Sequence, residues 1–157
     1  MNPKFRYLSE INLDLKKEKP MHILLIEDNN TLASLFGVQL RQLGGHTLVI
    51  SASKDEAMAA FQKETFDLIF VDMGLEGYQD RGLQILEAIK NLAPNQRIGI
   101  LSSNDLREMV RLSQKHGAEF YMVKPFTLDG LEVILSGDKE AIRNYIPDID
   151  EGRVIAF

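Results

Sequence analysis

The chain contains no cysteine, so disulfides, thiolate catalysis and cysteine-based metal sites are excluded at the outset. It also lacks a basic excess. Its 23 acidic and 18 basic side chains give a formal charge of −5. Proteins that grip nucleic acid usually carry the opposite balance, so no direct nucleic-acid role is expected. No segment approaches the roughly 20 apolar residues of a membrane span. The first twenty residues, MNPKFRYLSEINLDLKKEKP, hold no uninterrupted apolar stretch of signal-peptide length. The expectation is a cytoplasmic protein with no membrane partner. Internal repeats and low-complexity segments are missing too. What is present is 157 residues, 45% of them hydrophobic, enough for one packed core with modest extensions.

Five short apolar runs stand out: Ile23–Ile26, Leu48–Ile50, Leu68–Val71, Ile98–Leu101 and Phe120–Val123. None alternates polar with apolar, which is the habit of strands buried on both faces of a parallel sheet. Helical spacing fills the gaps. Leu32, Leu35, Phe36, Leu40 and Leu43 form one stripe, stopped by Gly44 and Gly45. Ser53 and Glu56 form a candidate capping box ahead of Ala57, Ala60 and Phe61. Leu83, Leu86 and Ile89 make a third stripe, Leu106, Met109 and Val110 a fourth, and Leu131, Ile134 and Leu135 a fifth ended at Gly137. Strict βα alternation implies an α/β fold, an open doubly wound sheet of five parallel strands with helices on both faces. The expected division is an extension over residues 1–20, the domain over 21–136 and a C-terminal extension over 137–157. In the last, Asp138 caps a short helix carrying Ala141, Ile142, Tyr145 and Ile146, stopped by Pro147. The remaining tail, DIDEGRVIAF, carries no structural signal.

In such sheets ligands bind beyond the C-terminal strand ends. The first run ends in Glu27-Asp28, the third in Asp72, the fourth in Ser102-Ser103 and the fifth in Lys124-Pro125. Three neighbouring carboxylates raise one another's pKa, and a hard divalent cation such as Mg²⁺ relieves the repulsion through oxygen ligands. A carboxylate beside Mg²⁺ is a competent nucleophile toward phosphorus. The transferred phosphoryl group spreads charge over three oxygens, which a metal, a lysine ammonium and a hydroxyl can share; Lys124 and Ser102 are of the right types. Each residue taken singly has a plainer reading: a turn or cap aspartate, a helix-capping Glu-Asp-Asn run, a capping serine, a solvated lysine. Their joint occurrence at four strand ends is what favours chemistry.

The pieces ILLIEDN (23–29), LIFVDMGLEG (68–77), IGILSS (98–103) and YMVKPF (121–126) resemble the receiver domain of two-component response regulators. The resemblance spans about residues 21–136 and implies a flavodoxin-like strand order 2-1-3-4-5. It further implies that Asp72 is the phosphoacceptor. Glu27, Asp28 and the Gly74 backbone carbonyl join Asp72 in holding Mg²⁺. Ser102 is the switch hydroxyl, Lys124 pairs with the phosphoryl group, Tyr121 is the aromatic that turns inward on activation, and the Lys124–Pro125 bond is cis. Three departures stand out. Glu76 replaces the usual proline, the loop to Gly82 is two residues longer, and Ser102 replaces the commoner threonine.

The functional expectation is a phosphorylation-dependent signalling switch of the stand-alone type. A histidine kinase or histidine phosphotransfer protein supplies the phosphoryl group, and a downstream protein or a homodimer reads it. The chain is not an enzyme beyond its own phosphoryl transfer and autodephosphorylation. A phosphorelay intermediate or phosphate sink is the alternative. A haloacid-dehalogenase-type hydrolase would need an acid two residues after the nucleophile, where Gly74 stands. A phosphate-independent binding module would be expected to have lost part of the acidic set or the lysine. About 20 residues follow the fifth helix, too few for an output module.

Overall fold

The computed structural model describes residues 19–145 and 154–157. Residues 1–18, and the Ile146 and Pro147 expected to close the C-terminal helix, lie outside the described residues. The elements run β1 (His22–Ile26), α1 (Asn30–Leu43), β2 (Thr47–Ser51), α2 (Lys54–Lys63), β3 (Leu68–Asp72), a 3₁₀ turn (Leu75–Gly77), α3 (Arg81–Leu92), β4 (Ile98–Ser102), α4 (Arg107–Lys115), β5 (Phe120–Val123), α5 (Leu128–Ser136), α6 (Lys139–Asn144) and β6 (Val154–Ala156).

The strands lie in the order β2-β1-β3-β4-β5-β6. The first five are parallel, as expected. The count of five is corrected to six: β6 pairs antiparallel with β5, setting Tyr121 opposite Ile155. It forms within the tail read as carrying no signal, where the free edge of β5 gives three residues a ladder they could not build alone.

Two apolar layers explain why the central strands show no alternation. Ile23, Leu25, Leu68, Phe70, Leu101 and Met122 face α1 and α5. Leu24, Ile26, Ile69, Val71, Ile98 and Ile100 face α2, α3 and α4. Every residue of β3 and β4 is buried. A fully buried Leu, Ile or Phe contributes on the order of 1.5–3 kcal/mol through transfer from water, so the two layers fix the sheet against both helix sets.

The helix ends follow local rules. Asn29 caps α1, its side chain accepting from the Leu32 N–H. Ser53 accepts from the Glu56 N–H, and Glu56 reaches back to the Ala52 N–H at 2.8 Å, so the capping box closes one residue early. Gly137 ends α5 in the left-handed conformation. Asp138 caps α6, which buries Ala141 and Ile142. In α1 the inward stripe is Ala33, Phe36 and Leu40, whereas Leu35 is exposed.

Candidate functional site

Parallel strands deliver their C-termini to one edge, and the backbone ladder carries each functional residue there. The Glu27 N–H donates to the Ser51 carbonyl (2.9 Å), Met73 to Leu101 (2.8 Å) and Lys124 to Ser102 (2.6 Å). Beyond these last rungs Glu27, Asp28, Asp72, Gly74, Ser102 and Lys124 line one cavity of about 330 Å³. All six sequence-predicted residues of the acceptor and metal set are therefore brought together. Glu27, Asp72 and Ser102 are buried, while Asp28 sits at the exposed rim. The Lys124–Pro125 bond is cis.

Glu27, Asp28 and Asp72 each offer an oxygen, and these oxygens lie within 4.8 Å of one another. Lys124 Nζ donates to both Glu27 oxygens, at 3.0 and 3.2 Å, and to Asp72 Oδ1 at 3.1 Å. One ammonium cannot balance three carboxylates. Burial pushes the Glu27 carboxyl up, the Asp72 charge pushes it further and Lys124 opposes both, leaving it at about 7. The oxygen-only donor set and the unbalanced charge fit Mg²⁺. Gly74 donates its N–H to Asp72 Oδ1 at 3.3 Å. Its carbonyl accepts from the Gly77 N–H at 3.2 Å, so only the second lone pair of that oxygen is left for a cation.

The perturbed Glu27 sets a pH dependence. Between its ordinary value of 4.5 and about 7, the folded chain holds a proton that the unfolded chain has released. This contribution is fully present below the lower value and is lost as pH rises through the upper one. Urea unfolding without Mg²⁺ is therefore expected to give lower stability at about pH 8 than at about pH 5 from this group. Added Mg²⁺ is expected to restore stability at the higher pH. A Glu27→Gln variant should flatten the dependence.

Ser102 and Tyr121 also meet. The Ser102 hydroxyl accepts from the Asn104 N–H at 3.4 Å, and the Tyr121 hydroxyl donates to the Asn104 carbonyl at 2.7 Å. Burial raises the Tyr121 phenol, and a hydrogen bond with Ser102 opposes the rise. Tyr121 is fully buried. Cross-strand neighbours share a face, so Ile155 of β6 packs on the same side of the sheet.

Three residues were not assigned roles from sequence. Asn104 links Ser102 to Tyr121 through its backbone, which no side-chain pattern reveals. Gly82 opens the first turn of α3, and a Cβ there would come within 2.6 Å of the Asp72 carbonyl oxygen and of Met73 Cα. That glycine lets the helix press against the end of β3, with its N–H on the Met73 carbonyl at 2.9 Å. The third, Glu76, donates its N–H to Asp28 Oδ2 at 3.1 Å.

A flavodoxin-like sheet with three carboxylates and a bridging lysine at its C-terminal strand ends has the fold and site of a receiver. The family model described as "Response regulator receiver domain" matches residues 23–136, and the chain belongs to that family. It is similar to the alginate biosynthesis transcriptional regulatory protein AlgB of Pseudomonas aeruginosa, 29% identical over 121 residues, covering 77% of this chain and 26% of that protein. Among solved structures, NtrX from Brucella abortus matches with a TM-score of 0.70 at 26% identity, over 78% of this chain and 27% of NtrX. A CheY-like receiver protein from Methanospirillum hungatei JF-1 supports the fold, with a TM-score of 0.69 at 24% identity over 81% of this chain and all of its own. The chain spans about a quarter of the length of the curated relatives it matches. No described helix is long and apolar enough to cross a membrane.

Proposed function

We propose that this chain is a cytoplasmic phosphorylation switch whose acceptor is Asp72. The carrying observation is the Lys124 ammonium held between the buried Asp72 and Glu27 carboxylates in an acidic cavity. An Asp72 oxygen attacks phosphorus in the phosphohistidine of a kinase or phosphotransfer protein. The O–P bond forms as the P–N bond breaks, and the departing imidazole keeps the electron pair and takes up a proton. Glu27, Asp28 and Asp72 would hold Mg²⁺, which when bound would supply charge stabilisation. Lys124, already on Asp72, turns to a phosphoryl oxygen, and the Ser102 hydroxyl donates to another. That movement draws on the Ser102–Asn104–Tyr121 bonds, so a local charge event reaches β5. The chain performs its own transfer and autodephosphorylation and turns over no external substrate.

The test is direct. Given a small-molecule phosphodonor and Mg²⁺, the chain should gain one phosphoryl group by intact mass, labile to hydroxylamine as an acyl phosphate is. Gain without Mg²⁺, or a hydroxylamine-stable adduct, would contradict the reading. Relay to a second histidine is a further reading, favoured by one observation: β6 already occupies the β5 edge, whereas the acceptor cavity is open. Rapid return of the phosphoryl group to a histidine phosphotransfer protein, faster than its hydrolysis, would select the relay.

A further inference from the structure

Glu76 is the sole non-glycine with a positive φ among the described residues, at 58°. An L side chain is disfavoured there and glycine is not, so the surroundings must hold it. Its carboxylate accepts from the N–H of Lys54, the first residue of α2, at 3.3 Å. The same oxygen lies 3.5 Å from Arg81 Nε, at the start of α3. The Arg81 guanidinium in turn stacks over Tyr78, 4.2 Å from the ring centre. The left-handed turn aims the Glu76 N–H at Asp28 Oδ2, 3.1 Å away. Among the described residues, this is the only hydrogen bond to the Asp28 carboxylate. Glu27 and Asp72 are buried and fixed by Lys124; Asp28 is exposed and has no such restraint.

We propose that Glu76 is a positioning residue for the metal: its left-handed backbone presents the amide that holds Asp28 beside Glu27 and Asp72. The lengthened loop then compensates for an exposed ligand. This rests on the reading of the three carboxylates as a Mg²⁺ site. Partners that orient a metal ligand typically control affinity by about 10–100-fold.

The experiment measures Mg²⁺ affinity of the full chain by calorimetry for wild type, Glu76→Gly, Glu76→Asn and Glu76→Val. All keep the N–H. Glycine and asparagine accept the left-handed region, whereas β-branched valine resists it. The expected result is affinity within about threefold of wild type for glycine and asparagine, and at least about tenfold weaker binding for valine. A second readout needs no metal and no folding of Glu76→Val: the Glu76 amide should exchange slowly in wild type and lose that protection in Asp28→Ala. Valine binding as tight as wild type, or an amide indifferent to Asp28→Ala, overturns the proposal. Equal weakening by glycine and valine also overturns it, by assigning the effect to the carboxylate. A wild-type chain that binds no Mg²⁺ overturns the metal-site reading itself, which separates the two failures.

Discussion

Asp72→Asn is expected to cut phosphoryl uptake from a small-molecule donor by at least roughly 10³-fold, to background, because loss of a nucleophile removes the step outright. The substitution preserves shape. The asparagine oxygen can still accept from the Gly74 N–H and from Lys124, the bonds that Asp72 Oδ1 now makes. The fold should stand, and the loss should be chemical. It also removes the charge that helps to raise Glu27, so Glu27 should titrate lower in the variant. Lys124→Met makes the instructive contrast. It leaves the nucleophile but removes the cation that would meet developing charge, an effect typically of about 10²–10³-fold. Glu27 then loses the neighbour that holds it down and should titrate higher. Intact-mass kinetics with Mg²⁺ read the rates, and carboxyl NMR reads the opposite Glu27 shifts. Uptake by Asp72→Asn at the wild-type rate would place the acceptor elsewhere.

The cluster at the strand ends was legible in the sequence because parallel strands bring their ends together. Once the apolar runs were placed, Glu27, Asp28, Asp72, Ser102 and Lys124 had to share one edge. The runs themselves were legible because burial on both faces suppresses alternation. The pairing inside the site was not. The structure bonds Lys124 to both Glu27 and Asp72, a bridge that the sequence does not assign. Which acid a lysine reaches depends on side-chain direction, which no spacing encodes.

Two other features were hidden for a different reason. The Val154–Ala156 strand pairs with β5, more than 30 positions earlier in the chain, and so depends on an edge that its own three residues do not encode. The left-handed Glu76 lies in a loop whose extra length was visible, but its conformation is set by Asp28, Lys54 and Arg81, which come from three separate parts of the chain. Tertiary contact overrides residue preference there. Such local conflicts concentrate at functional sites.

Gly99→Ala is expected to destabilise the fold by about 2–3 kcal/mol, the upper part of the range for overpacking a core. The glycine is the second residue of β4, where an added Cβ would clash with three atoms of the Phe120 ring. A surface glycine replaced by alanine would gain stability from the unfolded chain; here that gain is overwhelmed. The ring cannot yield freely. Phe120 is fully buried and packs on Phe70 with centroids 5.4 Å apart. Phe70 meets Phe36 at 4.9 Å, and Phe36 meets Phe126 at 5.3 Å. This aromatic row ends two residues from Lys124, so displacing its first member pushes toward the loop that presents the ammonium. The expected signature is a lower urea midpoint at unchanged slope, with slower phosphoryl uptake in the fraction that stays folded. Phe120→Leu in the same background removes the obstacle and should recover part of the loss. The two substitutions together should then cost less than their sum. Strict additivity, or an alanine variant as stable as wild type, would show that the ring does not confine position 99.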